Sequence, residues 1–157
     1  ANTPRGIMTM LAHEGVTLAV KNVVIIGRSI LVGRPMFALA QAADATVSLL
    51  HRYTPDNLRH ELLQQADVVI VATGVAGLVT GSDLKAGATV IDVGINRMAD
   101  GSLVGDVDFA SAEPVAGLIT PVPGGVGPMT IATLLQTTVE LAALHHGVTL
   151  EAGWQTI

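Results

Sequence analysis

Cysteine is absent from this 157-residue chain, which excludes disulfides, thiolate metal sites and a cysteine nucleophile. A cysteine-free sequence suits a reducing compartment, so a cytoplasmic location is expected. Aromatic residues make up only 3%, leaving no platform on which nucleic-acid bases could stack. Basic residues are outnumbered, 8 Lys and Arg against 13 Asp and Glu, and the net charge of -5 argues against a nucleic-acid partner. No apolar run approaches the roughly 18 residues of a membrane span. No basic segment precedes an apolar core at the N-terminus, so no signal peptide is read. The first residue is Ala1 rather than Met, which points to a processed chain or one cut from a longer protein. The five histidines show no metal-ligand spacing, and no metal is expected.

What is present is apolar. Hydrophobic residues form 50% of the chain, and the 17 glycines raise that to about 61%, above the roughly 45–50% usual when glycine is counted. Charged residues, at 13%, are about half the customary share. A chain of this length fits one domain with a sizeable core. The apolar surplus implies surface covered by another domain, a second subunit or a ligand.

Short runs rich in Val and Ile alternate with helical patterns. Residues 23–26, 46–50, 68–71, 89–91 and 115–119 read as strands. Their apolar character is continuous rather than alternating, as expected of strands buried on both faces of a parallel sheet. Helices are expected from about Pro4 to Glu14, from Pro35 to Ala43, after a cap at Thr54-Pro55 through Gln65, and from Thr130 to His146. Ile131, Leu134, Leu135, Val139, Leu141 and Ala142 give the last helix an apolar face. The pattern predicts an α/β fold, Rossmann-like and doubly wound, with a mainly parallel sheet of about five strands.

In such a sheet the first strand-to-helix turn binds phosphate through free N–H groups and the helix dipole. Here it reads Gly27-Arg28-Ser29, then Gly33 one residue later than G-x-G-x-x-G would place it. The second strand ends in His51-Arg52-Tyr53, where an acid accepting from the ribose hydroxyls of NAD would stand. Arg52, with Arg28 in reach, favours the 2′-phosphate of NADP. Asp92-Val93-Gly94-Ile95-Asn96-Arg97 follows the fourth strand and faces the ligand crevice. Ile95 packs either on a nicotinamide or in the core; the sequence admits both. Gly105-Asp106-Val107-Asp108 is read as a turn and helix cap rather than acid/base machinery, His145-His146 as a helix end, and the methionines as core filler. The stretch Thr120 to Thr130 holds three prolines and three glycines just before a helix. Such a loop is rigid and bare, suited to presenting backbone to a ligand through Pro123, Gly124, Gly125, Val126 and Gly127; the alternative is a plain connector.

Taken in order, the Gly27 loop, Asp92–Arg97, Gly105–Asp108 and Pro123–Thr130 resemble the cofactor-binding domain of the bifunctional methylenetetrahydrofolate dehydrogenase/methenyltetrahydrofolate cyclohydrolase family. The resemblance runs from Thr3 to His146. It implies an enzyme of one-carbon metabolism that oxidises methylenetetrahydrofolate with NADP and hydrolyses the methenyl product. It implies cofactor contacts at Gly27, Arg28, Ser29 and Ile95, with His51 and Arg52 near the 2′-phosphate. The Pro123–Gly127 loop would lie on the folate side, and a homodimer is expected. Residues 1–15 would form an inter-domain helix and residues 147–157 a tail. The family's folate-binding domain, with its catalytic Lys in Tyr-x-x-x-Lys, precedes this region. It is missing here: Lys21 and Lys85 are the only lysines, and neither lies in that motif. No catalytic residue is therefore assigned. Asn2 replaces the family's usual Cys, and Val75-Ala76 a usual basic residue and Pro. A standalone NADP-binding module and a different dehydrogenase on the same fold remain alternatives.

Overall fold

The computed structural model describes residues 1–154. Five parallel strands form the sheet: β1 (Asn22–Ile26), β2 (Thr46–Leu50), β3 (Val68–Val71), β4 (Thr89–Asp92) and β7 (Leu118–Ile119), in the order β2-β1-β3-β4-β7. Val23 and Ile25 of β1, with Val68 and Ile70 of β3, join one core under α1 (Asn2–His13) and α2 (Gly33–Ala42). The intervening Val24, Ile26, Val69 and Val71 join a second core under α3 (Asp56–Gln65) and α4 (Phe109–Ala112). Each central strand thus buries both faces, which explains why its apolar run is unbroken. No helix among the described residues is long and apolar enough to cross a membrane.

Several expected boundaries move. Pro35 falls in the first turn of α2 rather than opening it, where its missing N–H has no intrahelical partner to lose. Thr54 does not cap α3; its hydroxyl accepts from the His51 N–H. The apolar run at Val115 is not strand. Ala116 N donates to Ala112 O, so the segment continues the turn of α4, and β7 keeps only two residues. Two-residue strands β5 (Asn96–Arg97) and β6 (Leu103–Val104) form an antiparallel hairpin that hydrophobic patterning does not signal. Met98, on that hairpin, is 44% exposed and fills no core.

The last helix, α5, spans Val126–His146 and so begins inside the glycine-proline loop. Gly147 closes it in a left-handed conformation, and Val148 N donates back to Ala143 O. The tail begins there; Gln155 to Ile157 lie outside the described residues. Toward α1 the helix turns Thr130, Thr133, Thr137 and Glu140. Gly6 permits this approach, since a Cβ there would press on Thr133 and Met129. Arg5 grips Glu140 through two 2.6 Å bonds. The expected apolar face therefore points away from the rest of the chain: Ile131 is 63% exposed and Leu135 64%.

At the opposite end of the sheet Asp67 accepts from Lys85 Nζ at 2.6 Å and from Asn22 N at 2.9 Å. The Lys85 bond most of all, then the Asn22 N–H, holds its carboxyl below the usual range. A carboxyl lowered by folding adds stability above its unfolded value and loses it as pH falls through the folded one. The variant Asp67→Asn should have a lower urea midpoint than the parent at pH 7. That difference should close below about pH 4, where the unfolded carboxyl takes up its proton.

Candidate functional site

The strand order changes direction between β1 and β3, and the carboxyl ends of those strands open a crevice. A cavity of about 620 Å³ sits there, lined by Gly27, Arg28 and Ser29 after β1, His51 and Arg52 after β2, and Thr73 after β3. Five of the six expected cofactor residues are thus brought together. Gly27 has φ +113, and a Cβ on it would collide with the Ala72 carbonyl; a Cβ on Gly33 would collide with the carbonyl of Gly27. Both glycines let the loop lie against its neighbours and leave its outer side bare. Ser29 Oγ accepts from Val32 N, bracing the turn with its own proton left to donate. Arg52 stacks on Tyr53 with its guanidinium 4.7 Å from the ring centre. A cradle emptied by glycine and flanked by cations fits the phosphates of a dinucleotide.

The sixth residue, Ile95, stands elsewhere. It is 61% exposed, which removes the core alternative, and it lines a second cavity of about 520 Å³ with Thr3, Gly94 and the Pro121–Pro128 stretch. The loop residues of that cavity play different parts. Gly124 has φ +101, and a Cβ on it would meet nothing. Gly125 is buried, and a Cβ there would press on Pro121 O at 2.5 Å, so its bareness serves the loop's own packing. Val126 is 4% exposed and sits in the core with Ile7 and Ile91; its side chain anchors the loop rather than facing a ligand. Val126 and Gly127 also belong to the first turn of α5, not to a loop. Gly127 would admit a Cβ into open space.

Two buried carboxylates join the cavities. Asp106 is fully buried; Oδ2 accepts from Thr73 N, Thr73 Oγ1 and Gly74 N, and Oδ1 from Asn96 Nδ2 at 2.8 Å. Asp92 accepts from Gly94 N, Asp106 N and Val107 N. Burial pushes the Asp92 carboxyl above its usual range against those three N–H bonds, and the charge of Asp106 acts with burial. A Cβ on Gly94 or Gly105 would strike one of these carboxylates. The Asp106 segment is therefore more than a turn: its carboxylate ties the loop after β3 to the hairpin. Asp108 does stand at the N-cap of α4, though its side chain makes no capping bond.

Sequence reading missed Arg59, which lines the first cavity from the second turn of α3. Its Nη1 meets Asp56 at 2.8 Å, while its Nε is buried without a partner. An unmet buried donor costs about 1–3 kcal/mol. Its position three residues after Asp56, on the helix that follows the second strand, was the available signal.

Asp106→Asn keeps the side chain's shape but takes the charge from three donated bonds, and its NH₂ faces the Asn96 amide, which must turn over and give up Val104 O to accept from it. The variant should lose about 2–4 kcal/mol of stability in urea titrations. An unchanged midpoint would mean that the loops hold without the carboxylate.

Residues 1–146 match the family model of the tetrahydrofolate dehydrogenase/cyclohydrolase NAD(P)-binding domain. The chain is 64% identical over 142 residues to Bifunctional protein FolD of Lactiplantibacillus plantarum, covering 90% of this chain and 49% of that protein. Among solved structures it is similar to the bifunctional FolD methylenetetrahydrofolate dehydrogenase/cyclohydrolase of Campylobacter jejuni, at 47% identity and TM-score 0.89, covering 92% of this chain and 50% of the other. It is similar also to the Trypanosoma brucei FolD complexed with NADP cofactor and inhibitor, at 41% identity and TM-score 0.82, covering 87% and 48%. The chain spans about half the length of the curated relatives it matches.

Proposed function

The chain belongs to the tetrahydrofolate dehydrogenase/cyclohydrolase family, as its NAD(P)-binding domain, and on that premise we propose that it holds NADP for an enzyme oxidising methylenetetrahydrofolate and hydrolysing the methenyl product. The observation that carries this reading is the glycine-cleared first loop facing Arg28, His51 and Arg52 across one cavity. The Gly27–Ser29 loop would take the pyrophosphate on its N–H groups and the Ser29 hydroxyl. Arg52, with His51 beside it, would take the 2′-phosphate. When bound, NADP supplies the acceptor of the substrate's hydride. Ile95, exposed at the rim of the second cavity, would lie against the nicotinamide. Pro123, Gly124 and Gly127 would border the folate there, and Gly125 and Val126 would set the loop's shape.

The rest of the chemistry is assigned to a preceding folate-binding domain that carries the catalytic Lys. In this division residues 1–15 are the inter-domain helix, and the bare face of α5 through Ile131, Leu135 and Leu141 meets the other domain. A homodimer of the whole protein is proposed as well. Leu118 on the open edge strand, 39% exposed, supports an apolar contact between copies.

Calorimetry with NADP and NAD tests the cofactor assignment. Arg52→Ala removes charge-assisted bonds worth ~1.5–3 kcal/mol, so NADP should bind roughly 10- to 150-fold more weakly while NAD changes little. Equal weakening of both cofactors would detach Arg52 from the 2′-phosphate.

Gly127→Ala tests the folate side in the full-length protein. The new methyl meets no atom of this chain, and alanine suits a first helical turn, so thermal stability should hold or rise. Folate affinity should fall by about tenfold, for a methyl placed where a ligand packs, with NADP affinity unchanged. Unaltered folate binding would make the loop a connector.

A further inference from the structure

A second cationic fork lines the cofactor cavity, and the chain meets it from one side only. Arg59 projects from α3 with its side chain only 22% exposed, and its Nε–H is buried without an acceptor. Among the described residues no other buried side-chain nitrogen or oxygen lacks a partner. Asp56, one turn earlier on the same helix, holds the Nη1 side at 2.8 Å while itself remaining 88% exposed. The guanidinium is thus oriented from one edge and unmet at Nε. Guanidinium donors lie in a fixed plane, so an Arg steadied on one side presents its remaining donors in a set direction. Arg59 lines the same cavity as Arg28, His51 and Arg52. A half-met guanidinium at the wall of a cavity already rich in cations calls for an anion with several acceptor oxygens.

We infer that Arg59 is a specificity-determining residue: the guanidinium donors that Asp56 leaves free bond the ribose phosphate monoester of the bound dinucleotide, beside Arg52, and Asp56 aims them. This rests on the NADP reading above and extends it. The dianionic monoester supplies three acceptor oxygens, enough for two Arg side chains. A dinucleotide lacking that phosphate leaves those donors as unmet as they are in the free protein. Arg59 therefore separates the two cofactors without touching the pyrophosphate, which the Gly27 loop serves.

The test uses the 157-residue chain with four probes: NADP, NAD, adenosine 2′,5′-bisphosphate and 5′-AMP. Arg59→Gln should weaken NADP and the bisphosphate by roughly 10- to 100-fold, as for a lost charge-assisted bond, and leave NAD and 5′-AMP within about twofold. Arg59→Lys keeps the charge but lacks the planar fork that Asp56 orients, so it should also fail to restore the preference. Asp56→Asn leaves the cation in place but unaimed, and should cost part of the same preference. Melting curves of each variant establish that it is folded; should Arg59→Gln unfold, the Lys and Asp56 variants carry the same comparison. Equal weakening of all four probes, or none, overturns the role of Arg59. Loss of preference in Arg52→Ala but not in the Arg59 variants overturns this inference alone and leaves the NADP reading standing. Wild-type chain that binds NADP no better than NAD overturns both.

Discussion

Two buried carboxylates without a cation hold the working end of this sheet together. Asp92 and Asp106 appear in no ion pair among the described residues. Their acceptor capacity is met by N–H groups of Thr73, Gly74, Gly94, Asp106 and Val107, with the Asn96 amide and the Thr73 hydroxyl added. Those groups belong to the loops after β3 and β4, to the hairpin and to the segment that follows it. Loop backbone without a ladder must find acceptors somewhere, and here a carboxylate gathers several donors at once. Without that gathering the loop that carries Thr73 into the first cavity and the one that carries Gly94 into the second would have no common anchor. The glycines at 94 and 105 follow from the same constraint, because a side chain on either would occupy the space of a carboxylate.

Much of this architecture was legible beforehand, and the reason differs by element. The central strands announce themselves because burial on both faces demands continuous Val and Ile; β2 and β3 begin and end where the sequence places them. The start of α5 was hidden because Gly127 and Pro128 read as loop, yet both are tolerated in a first helical turn that needs no intrahelical N–H donors. The hairpin was invisible because two-residue strands are too short to carry a period. Val115 and Ala116 misled for the opposite reason, being apolar without being strand.

Within the candidate site, Gly27, Arg28, Ser29, His51 and Arg52 were legible because they follow strands at the switch in strand order. Arg59 was not, because only the return of α3 over the cavity places it there. Asp106 was found but given too small a part: a turn motif in sequence does not show how many distant N–H groups converge on one oxygen. The apolar stripe of α5 was read correctly as a stripe, but periodicity states which residues share a face and not what that face meets. Threonines and an arginine-glutamate pair join α5 to α1 instead. The surplus of apolar residues in the composition is accounted for in part by that outward face.

The seam between α1 and α5 has a mechanical meaning. Thr3 meets Thr130 near one end, Gly6 lets the backbones close at Thr133, and Arg5 locks onto Thr137 and Glu140 further along. On α1 these fastenings all fall between Asn2 and Gly6, while on α5 they run from Thr130 to Glu140, so one short stretch of α1 clamps about three turns of α5. A push delivered to that part of α5 is therefore passed to the N-terminal end of α1. That end stands beside the second cavity, where Thr3 and Val126 are neighbours along the same wall.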